Sequence, residues 1–366
     1  MHDLYDYSIF PFQELSNSCN FTEKKWNTFA FNKFIYTTKD DSSGLNIKSK
    51  ENLFRFNLQI NKFRKNIDSV IIICSKNNKN VLKYTLSKLK KYDILKHHDV
   101  LLVDDRSDTN DILSLGEQFK VSYLRIENEL DIFNYSLINN IAALYAKKLD
   151  KQLVIFYNND MWPENENTFY NIIEKHKNYK SNITGCRLVY PSKKEYEALG
   201  KPKHLLKKFI EDAYGTIQHG GIHFIRKHSD IFKLDNNQKA IVMCPMHLYR
   251  FYEHNHHTAC LDTACHAVTG ALHILDIDDF VELGGLNILL ATAFQDIDLC
   301  IKAIVKNMSV YYIGSECMYH AESLTNAKEN MTLTNEFMDD HIVWDILWNR
   351  RLEYILGLDH RYIDLI

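Results

Sequence analysis

Leu153-Val154-Ile155-Phe156-Tyr157-Asn158-Asn159-Asp160 is the stretch that decides the fold. An apolar run of strand length stops abruptly at an Asn-Asn-Asp cluster, and Met161-Trp162-Pro163 follows. A strand that ends this way delivers oxygen ligands to the carboxyl edge of a sheet, where open α/β sheets bind their ligands. Carboxylate and amide oxygens suit a hard divalent cation carrying phosphates.

Outward from that cluster, strand and helix patterns alternate. Val70-Ile71-Ile72-Ile73-Cys74 is a β-branched run, which predicts a buried parallel strand. Asn80 to Tyr92 repeats apolar residues at helical spacing (Val81, Tyr84, Leu86, Leu89). Val100 to Val103 predicts a second strand ending in Asp104-Asp105, 110–119 a helix, and Val121 to Ile126 a third strand. Ser136 to Lys148 reads as a helix leading into the strand Gln152 to Tyr157. This order predicts an α/β domain, a doubly wound, mostly parallel, Rossmann-like sheet with function at the strand ends.

Beyond the cluster, 164–178 reads as a helix and Ile183 to Tyr190 as a strand. Lys193 to Lys208 is a basic excursion, and Gly220-Gly221 turns into a strand. Ala267 to Leu275 is apolar around Gly270, and Gly284-Gly285 marks a tight turn. A helix over Asp298 to Lys306, a strand over Val310 to Ile313 and then His320 follow, with a helical tail from Glu336 to Leu358. We divide the chain into an N-terminal extension (1–66) packing on the main domain, that domain (67–325), and a helical tail (326–366). No internal repeat is visible.

With 366 residues the chain can bury a full core, and a formal charge of −3 gives no basic field for nucleic acid. No apolar run approaches the ~20 residues that span a bilayer. The start Met1-His2-Asp3-Leu4 lacks the pattern of a signal peptide. The eight cysteines are scattered, which predicts reduced thiols and a cytoplasmic protein.

Four places could carry chemistry. Asp104-Asp105 could hydrogen-bond a base or ribose, or form a turn or helix cap with Ser107-Asp108. Asn158-Asn159-Asp160 could bind metal or form a turn. In Gln295-Asp296-Ile297-Asp298 we assign Asp296 to chemistry and Asp298 to helix capping. His320 could complete a site for a Mn2+-like ion, or be a structural histidine.

Taken in order, these motifs resemble family 2 glycosyltransferases of the GT-A fold, in particular surface-polysaccharide enzymes of the rhamnosyl- and galactofuranosyltransferase kind. The resemblance runs from about Asp68 to Ser323. It rests on Ser69 to Ile73, Val103-Asp104-Asp105, Phe133-Asn134 to Asn140, Tyr157-Asn158-Asn159-Asp160, Val268-Thr269-Gly270-Ala271, Gly284-Gly285, Gln295-Asp296-Ile297-Asp298-Leu299 and Tyr319-His320. The chain departs from the family at Asn158 and Gln295, where many members have Asp and Glu, and at Ala142, where a glycine is common.

The resemblance implies inverting transfer of a sugar from a nucleoside-diphosphate sugar to a hydroxyl of a glycan or lipid-linked glycan, in capsule, lipopolysaccharide or other surface-polysaccharide synthesis. It implies a divalent cofactor, Mn2+ or Mg2+, on Asp160, Asn158 and His320. Asp104, Asp105, Ser75, Asn134, Asn158 and Asn159 would face the donor nucleotide. Asp296 would be the general base, with His219, Gly270 and Gln295 on the acceptor side.

The run His247, His254, His256, His257, Cys260, Cys265, His266 fits no zinc spacing and reads as a polar, aromatic acceptor loop. The basic segment Lys193 to Lys208 is either a solvated face or a contact for anionic lipid. The tail, with Trp344 and Trp348, is read first as core or homo-oligomer packing and second as peripheral membrane docking at the inner face. Two other classes stay open. One is an impaired sugar-nucleotide-binding or assembly protein. The other is a nucleotidyltransferase, although Cys74-Ser75-Lys76-Asn77-Asn78 lacks its glycine-rich phosphate loop.

Overall fold

The β-branched runs form strands whose side chains alternate between two apolar layers. The computed structural model of the protein describes residues 12, 15, 27–38, 45–129, 133–199, 213–233, 239–321, 335–348 and 352–355. Its strands are β1 (Asn27–Thr38), β2 (Leu45–Ile60), β3 (Ser69–Ser75), β4 (Asp99–Asp105), β5 (Ser122–Asn128), β6 (Leu153–Tyr157), β7 (Met161–Pro163), β8 (Ile183–Val189), β9 (Ile217–His219), β10 (Ile222–Lys233), β11 (Lys239–His247), β12 (Thr263–Ala264), β13 (Leu272–Asp276) and β14 (Val310–His320). The helices are α1 (Lys79–Lys91), α2 (Ile94–His97), α3 (Asp111–Phe119), α4 (Tyr135–Lys148), α5 (Thr168–Tyr179), α6 (Lys193–Ala198), α7 (Ile277–Glu282), α8 (Gln295–Val305), α9 (Asn335–Trp348) and α10 (Leu352–Ile355).

Val70 and Ile72 of β3 enter one buried cluster, while Ile71 and Ile73 enter another. The same split holds in β4, with Leu101 and Val103 on one side and Val100 and Leu102 on the other. Leu137, Ile138 and Ile141 of α4 cover the first face; Leu82 and Leu86 of α1, Ile112 of α3 and Phe169 of α5 cover the second. A sheet covered on both faces presents no polar side, so its strands read as unbroken apolar runs.

The 12-stranded sheet has the order β1-β2-β5-β4-β3-β6-β13-β8-β14-β12, with β7 on β14 and β9 on β8. Strands β5, β4, β3 and β6 are mutually parallel, and so are β8 and β14. Antiparallel β13 lies between β6 and β8. This is the mixed α/β fold with a mostly parallel central sheet that the sequence predicts. A separate hairpin pairs β10 with β11.

Several elements differ from the expectation. Much of the expected extension is sheet: β1 and β2 pair along their length, and β2 continues the main sheet beside β5. Strand β14 does not stop at Ile313. A bulge between Ile313 and Cys317 lets it resume along β8, so His320 lies on the strand rather than after it. Helix α8 begins at Gln295, which puts Asp296 in its first turn. The basic excursion begins as α6, closed by a Ser192–Glu195 capping box; 200–212 lie outside the described residues.

The described part of the tail packs into the core: Val343, Trp344, Leu347, Trp348 and Leu352 are buried in the cluster that holds α4 and α8. Among the described residues no helix is long and apolar enough to cross a membrane. No disulfide joins the described cysteines.

Candidate active site

Strand ends assemble the site. Strands β3, β4 and β6 run parallel, so Ser75, Asp104-Asp105 and Asn158-Asn159-Asp160 emerge at one edge of the sheet. Asn159 donates from Nδ2 to Ser75 Oγ at 3.1 Å, and its carbonyl accepts from Thr85 Oγ1 at 2.7 Å. These bonds tie the ends of β3 and β6 to α1.

Asp160 meets His320 there. Asp160 Oδ1 lies 3.1 Å from His320 Nε2, and Asn158 Nδ2 lies 3.1 Å from the same nitrogen. The other ring nitrogen, Nδ1, is 2.6 Å from Gln218 Oε1. An amide oxygen can only accept, so Nδ1 carries the proton and Nε2 presents its lone pair toward Asp160. Ala321 N–H donates to the Asp160 carbonyl at 2.9 Å, which closes the pairing of β7 with β14. A carboxylate and a preoriented imidazole form a donor set that fits a Mn2+- or Mg2+-like ion. Asn158 would join it only after turning its amide oxygen inward.

Asp296 stands one backbone segment away. Asn158 N–H donates to Ala271 O at 3.0 Å, and Gly270 N–H donates to Asp296 Oδ2 at 2.7 Å. Asp296 Oδ1 accepts Ile297 N–H at 2.9 Å, inside the first turn of α8. Residues 270–271 therefore touch both the Asp160–His320 corner and Asp296. Gly270 allows a close approach: a Cβ there would sit 3.0 Å from Asp296 Cβ, so the Asp296 side chain would have to yield by a few tenths of an ångström. Asp296 stays half-buried, so its carboxylate is reachable.

Other expected site residues are structural. Asp104 is fully buried and accepts from Ser107 N–H (3.0 Å), Tyr123 Oη (2.6 Å) and Arg125 Nη1 (2.8 Å). Asp105 receives both Nε and Nη2 of Arg106, at 2.7 and 2.8 Å. Both carboxylates are engaged by the protein and anchor the β4 end. Asn134 caps α4: its Oδ1 accepts Leu137 N–H at 2.8 Å and its Nδ2 donates to Ile288 O at 2.9 Å.

His219, expected near the acceptor, is fully buried. Burial, reinforced by His247, His273 and His320, holds its imidazole well below the usual range, so it is neutral. It accepts Thr269 N–H on Nε2 at 3.4 Å, so Nδ1 carries the proton toward His247 Nδ1 at 2.8 Å. It props the segment that begins at Thr269. Gln295 is also buried, and its Oε1 has no hydrogen-bond partner among the described residues. Asp298 is no cap; it is buried, 3.2 Å from Lys302 Nζ, and accepts Trp348 Nε1 at 2.9 Å.

Sequence reasoning missed Gln218, Tyr135 and Asp340. Tyr135 Oη donates to Gly270 O at 3.2 Å. Asp340 of α9 accepts the amides of Ala291 (2.8 Å), Thr292 (2.7 Å) and Ala293 (2.8 Å), plus Thr292 Oγ1 (2.7 Å), immediately before α8. Each is a lone polar residue far along the chain from its partner, and no local spacing marks it.

Known proteins resemble this chain in sequence or in fold. An uncharacterized protein, y4gI, of Sinorhizobium fredii is 24% identical over 263 residues, 71% of this chain and 25% of that protein. The O-antigen biosynthesis protein RfbC of Myxococcus xanthus is 26% identical over 152 residues, 42% of this chain and 10% of that one. The chain thus spans a quarter or less of the length of these curated relatives. A crystal structure of GalNAc-T7 with UDP, GalNAc and Mn2+ has the same fold, with a TM-score of 0.54 at 15% identity over 79% of this chain and 50% of that one. The family model described as glycosyl transferase family 2 matches residues 70–256, just over half of the chain and the part that carries β3 to β11. The chain therefore belongs to glycosyl transferase family 2.

Proposed function

We propose that this protein transfers a sugar from a nucleoside-diphosphate sugar to a hydroxyl acceptor, with inversion at the anomeric carbon. The observation that carries the reading is the link from Asp160 and His320 through Asn158, Ala271 and Gly270 to Asp296. It supports a metal corner and a general base at one strand edge.

Asp160 and His320 would hold the divalent cation, with Gln218 fixing the imidazole. When bound there, the cation supplies positive charge opposite the leaving diphosphate. Asp296 would take the proton from the attacking acceptor hydroxyl while that oxygen attacks from the face opposite the diphosphate. Gly270 N–H and the first turn of α8 hold the carboxylate in place for that task. The GalNAc-T7 structure with UDP, GalNAc and Mn2+ shares the fold and supports a nucleotide-sugar donor with a divalent metal. The RfbC relative supports an acceptor in surface-glycan assembly, such as an O-antigen or capsule chain. We assign the catalytic unit to 67–325, with β1–β2 extending its sheet edge and α9 bracing α8.

A panel of nucleotide sugars screened by thermal shift with Mn2+ identifies the donor, because a ligand that binds the native state raises its apparent stability. With that donor, Asp296→Asn is expected to lower kcat by about 10²–10⁴-fold and leave donor binding unchanged. Undiminished transfer by Asp296→Asn would remove the assignment.

A further inference from the structure

We propose a second metal site, a zinc site, formed by Glu164, His254 and Cys317. The ligand atoms of these side chains all lie within 4.8 Å of one another. They come from the residue after β7, from the loop after β11, and from the part of β14 beyond its bulge.

The geometry has the signature of ligands facing a common point. His254 Nε2 lies 3.2 Å from Glu164 Oε1. This nitrogen is buried and sits at ion-pair distance from Glu164 without a well-aligned N–H···O bond. Two ligands held about 2.0–2.1 Å from one tetrahedral zinc stand about 3.3 Å apart. A simple ion pair would instead aim N–H at oxygen. Cys317 is fully buried, whereas Glu164 and His254 are about one-third exposed and give an ion a path from solvent.

Ligand chemistry separates this site from the Asp160–His320 corner. A thiolate beside an imidazole and a carboxylate favours zinc, while the Asp160–His320 corner has no thiolate and suits manganese or magnesium. Zinc displaces the Cys317 thiol proton to solvent on binding. The nearby positive charge is Arg187, whose Nη1 is engaged by His254 O at 2.5 Å and Cys260 Sγ at 2.6 Å. The two anionic ligands offset that charge.

The consequence is mechanical. Glu164 N–H donates to Cys317 O at 3.2 Å, and Tyr312 Oη donates to Ala259 O at 2.7 Å, so the 254–260 loop already lies on β14. Zinc would staple that loop to the strand that carries His320. Only His254 comes from the histidine- and cysteine-rich run, so spacing within that run could not reveal the site.

The test uses the full chain, stripped with chelator and reloaded with zinc or cobalt. About one zinc per chain by mass spectrometry is expected, with a thiolate-to-cobalt charge-transfer band on cobalt loading. His254→Ala, at a half-exposed loop position, is expected to lose the zinc and the band, and Asp160→Asn to keep both. Circular dichroism confirms that each variant is folded. A folded chain that binds no zinc overturns the proposal, and so does stoichiometric zinc that His254→Ala leaves unchanged. Zinc lost in Asp160→Asn but kept in His254→Ala would place the ion at the other corner.

Discussion

Asp340 should control both stability and turnover, although it touches no expected ligand. Its Oδ2 accepts Thr292 N–H, Thr292 Oγ1 and Ala293 N–H, and its Oδ1 accepts Ala291 N–H. Hydrogen bonds to a charged group contribute about 1.5–3 kcal/mol each. The four cannot add in full, because Thr292 and Ala293 are half-exposed and water can reach their amides. Asp340→Ala is therefore expected to lose about 3–5 kcal/mol. Asp340→Asn can keep its oxygen toward Thr292 and Ala293, but its amide then faces the buried Ala291 N–H, which should cost about 1.5–3 kcal/mol. Residues 291–293 lead directly into α8, so slackening them displaces Asp296. A misplacement of ~1 Å can cost on the order of 10²-fold in rate. Urea unfolding would measure the first effect and transfer kinetics the second, with kcat falling and donor binding held. If Asp340→Ala stays within ~1 kcal/mol of the parent and turns over at the parent rate, the bracing role of α9 is wrong.

Gln218→Leu removes the acceptor that fixes His320 Nδ1–H, so Mn2+ affinity is expected to drop about 10–100-fold in a metal titration with little change in fold; unchanged affinity would show that Gln218 does not orient the ligand. Burial lowers His98 to about 4, with smaller contributions from its charged neighbours, and lowers His176 to about 4, aided by Lys177. Depressed histidines bind fewer protons folded than unfolded. The stability they contribute is thus complete above ~6.5 and is lost as pH falls toward 4. Each should cost about 2 kcal/mol between pH 7 and pH 5, read as a drop in the urea midpoint, and a flat midpoint over that range would contradict the burial of these rings.

The central sheet was legible because β3, β4 and β6 are covered on both faces. Burial on both sides writes itself into sequence as runs such as Val70 to Ile73. The hairpin of β1 and β2 was not legible. Its strands bound the sheet as an edge, and their mixed residues (Asn46, Lys48, Lys50, Glu51) carry no apolar run. The bulge in β14 was hidden for a related reason: Gly314-Ser315-Glu316 reads as a strand end, although pairing with β8 resumes at Cys317. At the site, sequence order brought Asp160, His320 and Asp296 to attention, and the structure joins them through Ala271 and Gly270. It could not tell reactive acids from anchoring ones. Asp104 and Asp296 both follow apolar elements, and what separates them is Arg125 and Tyr123, which neutralise and bury the first.

That separation has a physical logic. A buried carboxylate must be paired or it destabilises the fold, so Asp104, Asp105 and Asp298 each have a cation beside them, namely Arg125, Arg106 and Lys302. Asp160 and Asp296 have different partners: a histidine whose proton points elsewhere, and backbone amides. Neither partner neutralises the carboxylate with a fixed positive charge. The charge-paired acids can hold the rim rigid, because a fixed cation stands beside each. The other two carboxylates would, under the proposed function, serve a metal at Asp160 and a proton at Asp296. Lys302 connects the two classes. It reaches from Asp298 on the same helix as Asp296 to the carbonyl of Gly285 at 2.7 Å, in the turn that Asn140 of α4 also grips. The apolar core beneath α4 therefore fixes where the Asp296 carboxylate stands, and a substitution at Asn140 or Lys302 should be felt in turnover even though both are buried away from any ligand.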